Sequence, residues 1–235
     1  MRTTHGIVPA LDVKSMDDVK RIVEATTRVE GVVAYKLGLT ITLGLGLRAA
    51  VQALRAVTHL PILYDHQKAG PDVPDMAPKF CATCKDAGVD GLILFPLAGP
   101  RAVDEFVGHS YRQGLLPVVG GDLPLPDYNA KGGGYVIDDA LDRIFRRAIE
   151  GGADHFIVPG NTPDKVRHHA QWLVGTVKTP HLFIPGIGAL GGSVAETFEV
   201  AAGCRTYAVI GRGIYADSDP AEAARRFAGQ ALQFA

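Results

Sequence analysis

The stretch HFIVPGNTPDKVRHHAQWLVGTVKTPHLFIPGIG, residues 155–188, contains the repeating unit of this protein. Two apolar runs, 155–160 and 181–188, flank a segment whose pattern predicts an amphipathic helix over residues 162–175. Runs that are apolar throughout are typical of strands buried on both faces, as in parallel sheets. Because parallel neighbours need a long crossover, usually a helix, the stretch predicts a βαβ unit.

The same unit recurs along the rest of the chain. Strands are predicted at residues 6–13, 32–38, 60–65, 91–96, 115–121, 155–160, 181–188 and 207–212. Helices are predicted at residues 16–29, 42–57, 74–87, 99–113, 138–151, 162–175, 192–203 and 219–233. Eight repeats in 235 residues predict an α/β fold, a single (β/α)8 TIM barrel domain over residues 1–235. An open doubly wound sheet is the alternative, but the first strand–helix turn, ALDVKSMDD, lacks the usual dinucleotide-binding glycines.

Charge and composition narrow the classes of partner. The chain has 24 Lys and Arg against 25 Asp and Glu, so it offers no strong field for nucleic acid or an anionic membrane. No apolar run approaches the roughly 20 residues that span a bilayer, and the N-terminus lacks a secretory pattern. We therefore expect a cytoplasmic protein. The C-x-x-C pair, Cys81 and Cys84, lies in a predicted helix without a second ligand pair, which favours ordinary buried helix residues over a redox or zinc site.

Charged residues follow the first three predicted strands. Asp12 ends the first strand, Lys36 the second and Asp65 the third, with Lys68 and Asp72 in the loop beyond. In a barrel the carboxyl ends of all strands meet at one mouth, so these side chains are expected to cluster there. A Lys in an apolar run such as VVAYKLGL needs a buried partner, and the two neighbouring carboxylates are the candidates. A purely structural salt-bridge network is the alternative interpretation.

Glycine-rich loops follow the last two strands. They read IPGIGALGG, residues 184–192, and VIGRGIY, residues 209–215. Glycines allow backbone N–H groups to approach an anion closely, and Arg212 supplies a bidentate cation. Because the loops after strands seven and eight often bind phosphate in barrels, we predict a phosphate site here, with simple tight turns as the alternative. The long loop at residues 120–139, rich in Gly and Pro, is predicted to be a lid or binding loop.

Five motifs together resemble the orotidine 5′-monophosphate decarboxylase family over essentially the whole chain. They are ALDV, YKLG, DHQKAGPDVP, PGIGALGG and IGRGIY. The usual family motif D-x-K-x-x-D is one residue longer here before the Lys and one longer before the second Asp. That form is similar to the DHQKAG-x-DIP variant of divergent archaeal-type members.

The resemblance implies cofactor-free, metal-free decarboxylation of orotidine 5′-monophosphate (OMP) to UMP and CO2, a step of pyrimidine biosynthesis. It implies that Asp12 binds the ribose, that Lys36 contacts sugar hydroxyls and holds the charge network, and that Asp65 lies near the substrate carboxylate. Lys68 would be the proton donor. Asp72 would reach into the neighbouring subunit's site, which implies a homodimer.

The resemblance also implies a set of substrate-binding residues around the last two loops. These are Pro185, Gly186, Gly188, Gly191, Gly192, Gly211 and Arg212. Two positions depart from the family pattern. Leu190 stands where the family commonly has a Gln that bridges phosphate and pyrimidine. Asp122 lies nearest to a family Ser or Thr, and would accept a hydrogen bond from a pyrimidine ring N–H.

Two other functions fit parts of this pattern. A hexulose-phosphate synthase-like lyase of the same superfamily would use Mg²⁺ and a Glu near the second strand. The segment YKLGLT has no acidic residue, which disfavours that class. A nucleotide-binding paralogue without catalysis is compatible with Leu190 and Asp122, but retention of the charged residues at the strand ends argues against it.

Overall fold

Eight short apolar segments form a closed parallel barrel. The computed structural model describes residues 3–66, 73–188 and 191–235. The strands in these ranges are β1 His5–Leu11, β2 Tyr35–Leu37, β3 Ile62–Tyr64, β4 Gly91–Leu94, β5 Leu116–Val119, β6 His155–Ile157, β7 His181–Pro185 and β8 Arg205–Ile210. Each strand pairs with its neighbours in sequence, and β8 closes the barrel by pairing with β1. The predicted (β/α)8 barrel is confirmed, and the open sheet is wrong.

Helices alternate with the strands on the outside of the barrel. In the described ranges they are α1 Met16–Thr26, α2 Leu39–Leu45, α3 Leu47–Arg55, α4 Ala77–Ala87, α5 Pro100–Arg112, α6 Ala140–Glu150, α7 Pro163–Thr176, α8 Val194–Val200, α9 Arg212–Tyr215 and α10 Pro220–Leu232. Two 3-10 turns, Pro74–Met76 and Ala130–Gly132, lie in the loops after β3 and β5. All eight predicted helical segments contain a helix.

Three details of the sequence interpretation were wrong. The strands are shorter than the apolar runs, because the runs continue into buried loop residues beyond the last ladder pair. The helix predicted at 42–57 is two helices, α2 and α3, separated by Gly46 at a φ of 81°, which L side chains rarely adopt. The glycine-rich segment after β8 is not only a loop, because residues 212–215 form α9.

Two apolar layers surround the strands, as the two-residue period of a strand requires. Outward-facing residues such as Ile7, Tyr35 and Leu37 pack under the helices. Inward-facing residues fill the lumen and include Val8, Leu63, Ile93, Phe95, Val118 and Phe183. The lumen is therefore a packed core over most of its height.

The amino end of the lumen contains a small polar cluster, which we call the amino-end cluster: His155, His181 and Tyr207. The two imidazoles stack with ring centroids 3.9 Å apart. The Tyr207 hydroxyl donates to the carbonyl of Thr3 at 3.0 Å, and its oxygen lies 3.3 Å from Nδ1 of His181. Burial, followed by repulsion from His155, lowers the pKa of His181 to about 4, and burial also lowers the pKa of His155. Both rings are therefore neutral at pH 7.

All three cysteines of the chain are buried. Cys81 and Cys84 lie on α4, and Cys204 lies just before β8. Burial raises the pKa of the Cys81 thiol, that of Cys84 to about 12 and that of Cys204 to about 11. This is the behaviour of packing residues, in line with the interpretation of the C-x-x-C pair given above. Among the described residues, no helix has both the length and the apolar character needed to cross a bilayer.

Candidate active site

Strand periodicity brings the first three charged residues into the lumen. Lys36 lies between Tyr35 and Leu37, which both face the helices, so its own side chain faces inward. In the ladder, Lys36 is beside Ala10 on β1 and Leu63 on β3. Residues two positions further along those strands face the same way, and these are Asp12 and Asp65. The register therefore places both carboxylates beside one ammonium at the carboxyl end of the barrel.

Lys36 bridges the two carboxylates. Its Nζ lies 2.9 Å from Oδ1 of Asp12 and 3.2 Å from Oδ2 of Asp65. The side chains of Lys36 and Asp65 are 8% and 2% exposed, whereas that of Asp12 is 38% exposed. Burial alone would lower the pKa of Lys36, but the charges of Asp65 and Asp12 and their hydrogen bonds outweigh it and raise the pKa. The ammonium is therefore held charged in a largely buried position.

A glycine fixes the position of Asp12. A Cβ built on Gly38 would lie 2.0 Å from Oδ1 of Asp12, a distance that no side chain could tolerate. Gly38 immediately follows β2 and precedes α2, so the backbone turns away directly under the carboxylate. The absence of a side chain at this position lets Asp12 reach Lys36.

A cavity of about 240 Å³ at the carboxyl end of the barrel is lined by Asp12, Lys36 and Asp65. Its polar lining residues are Asp12, Lys36, Asp65, Asp122, Arg212 and Tyr215. Its apolar lining residues include Ile93, Phe95, Ile157 and Val209. A cavity with an apolar wall and a few convergent charged groups is typical of a small-molecule site.

Asp122 is held by a cation that the sequence interpretation missed. Its side chain is 4% exposed, and its Oδ2 accepts from Nζ of Lys165 at 2.5 Å. Its Oδ1 accepts from the N–H of Leu123 at 2.9 Å, and Lys165 also donates to Oδ1 of Asn129 at 3.1 Å. Lys165 comes from the first turn of α7, so its only signal in the sequence was a Lys near the carboxyl end of the sixth strand.

The glycine-rich loop after β7 pairs three of its described amides internally. The N–H of Gly188 donates to Gly192, that of Gly191 to Gly188, and that of Gly192 to Gly186, at 2.8, 2.9 and 3.0 Å. These three glycines therefore shape the loop. The N–H of Gly186 has no hydrogen-bond acceptor within the described ranges, and Gly186 lines the cavity with Pro185.

Arg212 lines the same cavity and follows β8, the strand beside β7. It begins α9, is exposed, and makes no ion pair with any residue that the structure describes. Gly211 precedes it and also lines the cavity. An unpaired guanidinium beside a free backbone N–H is an arrangement that suits a phosphate.

The structure thus brings eight of the predicted site residues to one cavity. They are Asp12, Lys36, Asp65, Asp122, Pro185, Gly186, Gly211 and Arg212. Gly188, Gly191 and Gly192 lie in the adjoining loop instead. The predicted proton donor Lys68, the predicted trans carboxylate Asp72 and the divergent Leu190 lie outside the described residues. Each described carboxylate in the lining already faces an ammonium, so the site supplies its own cations.

Comparison with known proteins gives consistent results over nearly the whole chain. The profile of the orotidine 5′-phosphate decarboxylase / HUMPS family matches residues 6–227. The orotidine 5′-phosphate decarboxylase of Pyrococcus abyssi is 29% identical over 219 residues, 93% of this chain and 95% of the relative. That of Methanosarcina barkeri is 28% identical over 230 residues, 98% of this chain and 96% of the relative.

Solved structures show the same fold. The orotidine 5′-monophosphate decarboxylase of Methanocaldococcus jannaschii, complexed with the inhibitor BMP, matches with a TM-score of 0.82 at 20% identity, covering 96% of this chain and 98% of that one. The orotidine 5′-phosphate decarboxylase of Pyrococcus horikoshii OT3 matches with a TM-score of 0.78 at 23% identity, covering 95% and 98%. At these identities the likeness establishes the barrel architecture.

Proposed function

The chain belongs to the orotidine 5′-phosphate decarboxylase / HUMPS family, and we propose that it converts OMP to UMP and CO2 in pyrimidine biosynthesis. The curated relatives that match it over nearly their whole length are orotidine 5′-phosphate decarboxylases, which makes it a carboxy-lyase. The family resemblance inferred from the sequence is thereby confirmed.

The observation that best supports this function is the bridge from Lys36 to Asp12 and Asp65 at the base of the cavity. Decarboxylation at C6 of the pyrimidine leaves an electron pair on carbon, and a preorganised field of fixed charges stabilises such a carbanion. Asp65 is buried and would lie against the leaving carboxylate, while Asp12 is half exposed and would contact the ribose. Lys36 offsets the negative charge of both carboxylates.

The proposed chemical step needs one proton. The bond from C6 to the carboxylate breaks, its electron pair stays on C6, and CO2 departs. The Lys68 ammonium then protonates C6 and recovers its proton from solvent after UMP leaves. Lys68 lies outside the described residues, so its role rests on the family motif. The apolar wall formed by Ile93, Phe95 and Ile157 limits water around the reacting carbon.

We assign phosphate binding to the part of the cavity lined by the loops after β7 and β8. Arg212 would form the charged contact, with the N–H of Gly186 as a neutral donor beside it. Binding energy from a remote phosphate can be used to hold the reacting carbon in the charged end of the site. Asp122, oriented by Lys165, would accept a hydrogen bond from the pyrimidine ring N–H.

The direct test is the loss of OMP absorbance on incubation with purified protein, with and without EDTA. We expect turnover to UMP with an initial rate that EDTA leaves unchanged, and no turnover of orotidine, which lacks the phosphate. UMP binding without turnover of OMP would indicate a nucleotide-binding paralogue. Activity on a phospho-sugar that EDTA abolishes would indicate the metal-dependent sister class of the same family.

We further propose a homodimer in which Asp72 acts in the partner's site, as the family motif implies. Lys68→Ala and Asp72→Ala homodimers would then each be nearly inactive. Mixing them restores one intact site in every mixed dimer. Because random exchange makes about half of the dimers mixed, activity would recover to about one quarter of the wild type. Verified subunit exchange without recovery would place both residues in the same chain's site.

A further inference from the structure

Three potential metal ligands converge on the outer wall of the barrel, away from the cavity. Asp142 lies in the first turn of α6, and His168 and His169 lie in the middle of α7. One ligating atom of each residue lies within 4.8 Å of those of the other two. The sequence interpretation did not single out any of them, because two helices supply the ligands.

The distances fit a tetrahedral ion. Oδ1 of Asp142 lies 3.4 Å from Nε2 of His168 and 3.4 Å from Nδ1 of His169. Zinc bonds to imidazole nitrogen and carboxylate oxygen are about 2.1 Å long, so adjacent ligand atoms of a tetrahedral site lie about 3.4 Å apart. Two edges of such a tetrahedron are therefore already present.

A buried nitrogen of His169 provides an independent sign that this cluster can bind a ligand. The residue is 5% exposed, yet its Nδ1 has no hydrogen-bond partner among the residues that the structure describes. The contact with Asp142 fails the geometry of a hydrogen bond, and the other side of the ring packs edge-on against Phe145. A buried polar atom without a partner is costly, and a metal ion placed between His169 and Asp142 would satisfy it.

The cluster is open on its outer side. The side chains of His168 and Asp142 are 64% and 33% exposed, so an ion can enter from solvent and water can occupy the remaining position. Two imidazoles and one carboxylate suit Zn²⁺ and its neighbours, whereas Mg²⁺ and Ca²⁺ prefer sites made of oxygen. We propose that Asp142, His168 and His169 bind one divalent transition-metal ion of the zinc class.

The position of this site indicates what the ion would do. It would link α6, which follows the 120–139 loop, to α7 one turn beyond Lys165. On the cavity side, the ion pair of Asp122 and Lys165 joins the loop that precedes α6 to the same helix α7. The ion is thus a clamp that holds the wall behind the Asp122–Lys165 pair, and it takes no part in the chemical step.

The test is a titration of Zn²⁺ into the full-length protein, prepared without a polyhistidine tag and dialysed against a chelator. We expect one equivalent to bind, with a rise in melting temperature, and Co²⁺ to give the intense visible absorption of a tetrahedral site. His168→Ala removes an exposed ligand, so the metal-free protein stays folded while its Zn²⁺ affinity falls by about tenfold or more.

The matched control is His109→Ala. His109 also lies 3.4 Å from a carboxylate oxygen, that of Glu105, but among the described residues no third metal ligand joins that pair. We expect this variant to bind Zn²⁺ like the wild type. The proposal is overturned by the absence of stoichiometric Zn²⁺ binding, by an equal loss of affinity in both variants, or by equal binding of Mg²⁺. The readout is metal binding, so its failure leaves the decarboxylase proposal untouched.

Discussion

The two ends of the barrel lumen both contain buried polar groups, but they stabilise them in opposite ways. At the carboxyl end, Lys36 is charged and is neutralised by Asp12 and Asp65. At the amino end, His155 and His181 stack as neutral rings. At both ends, the polar side chains come from inward-facing strand positions.

The two ends differ in whether their buried side chains are kept charged or neutral. Pairing keeps ions in a place where they would otherwise lose their charge, and such ions create the strong local field that carbanion chemistry needs. Neutral rings create little field and contribute packing and hydrogen bonds. Barrel enzymes place chemistry at the carboxyl face and stability at the amino face. Here the two faces differ in the same sense, with an ion bridge at one and stacked imidazoles of lowered pKa at the other.

The largest effect is expected when the ammonium of Lys36 is removed. Lys36→Met leaves two carboxylates without their shared cation, so we expect kcat/KM for OMP to fall by about 10²–10³-fold or more. We also expect the free energy of unfolding to fall by about 3 kcal/mol, because Asp65 stays buried with less compensation. Steady-state kinetics and urea denaturation measure the two effects.

A second substitution separates stability from catalysis. The double variant Lys36→Met, Asp65→Asn also lacks the buried negative charge of Asp65. We therefore expect it to regain most of the lost stability but not the activity. If the double variant is as unstable as the single one, charge pairing is not what stabilises the carboxyl end.

Removing Arg212 tests whether a charged residue at the carboxyl end can bind the substrate phosphate without contributing to the stability of the fold. Arg212→Ala is expected to raise KM for OMP and the Kd for UMP by about 10–100-fold, the range for a lost charge-assisted hydrogen bond. The thermal stability is expected to stay unchanged, because Arg212 is exposed and has no ion-pair partner in the described ranges. Arg225→Ala, on α10, is the control. Unchanged UMP affinity in the Arg212 variant would place the anion elsewhere.

A substitution of Lys165 tests whether the Asp122–Lys165 ion pair contributes to substrate binding at the carboxyl end of the barrel. Lys165→Met leaves the buried carboxylate of Asp122 without its cation, and we expect KM for OMP to rise about tenfold with a smaller change in kcat. Lys131→Met, in the 120–139 loop that carries Asp122 but without an ion pair in the described ranges, is the matched control. Equal kinetic constants for the two variants would show that the Asp122–Lys165 pair has no role in substrate binding.

The smallest effect is expected at the amino end, where a substitution should change the free energy of unfolding only at acidic pH. The pKa of His181 is about 4 in the folded state and 6.5 in its ordinary state, so the unfolded chain binds more protons between these values. The free energy of unfolding therefore decreases as the pH falls from about 6.5 towards 4. His181→Gln is expected to weaken that dependence without changing activity at pH 7. Denaturation midpoints across this range, with the exposed His59→Gln as the control, measure it.

The sequence predicted the barrel because each strand and helix is encoded locally. The strand periodicity also brought Asp12, Lys36 and Asp65 together correctly, since their positions depend only on register. Strand ends were less predictable, because an apolar run continues wherever a loop is buried, as it does beyond Ile157 and Pro185.

Pairings between distant segments were not predictable from sequence patterns. Lys165 and Asp122 are separated by 43 residues, and nothing in the pattern near Lys165 distinguishes it from a solvated helix residue. The tandem histidines on α7 similarly have an ordinary amphipathic context, and the orphaned Nδ1 of His169 is visible only once α6 is packed against them. Such features depend on the angle between two helices, which local sequence does not encode.

The burial of Cys81, Cys84 and Cys204 has a practical consequence. With all three thiols inside the fold and their pKa values raised, the native protein should react very slowly with maleimides, and the rate of thiol modification would report global opening. A single cysteine introduced at an exposed position, such as Val73→Cys, would then be the one site that takes a fluorophore. The natural sequence is in this sense ready for single-molecule labelling without removal of any native residue.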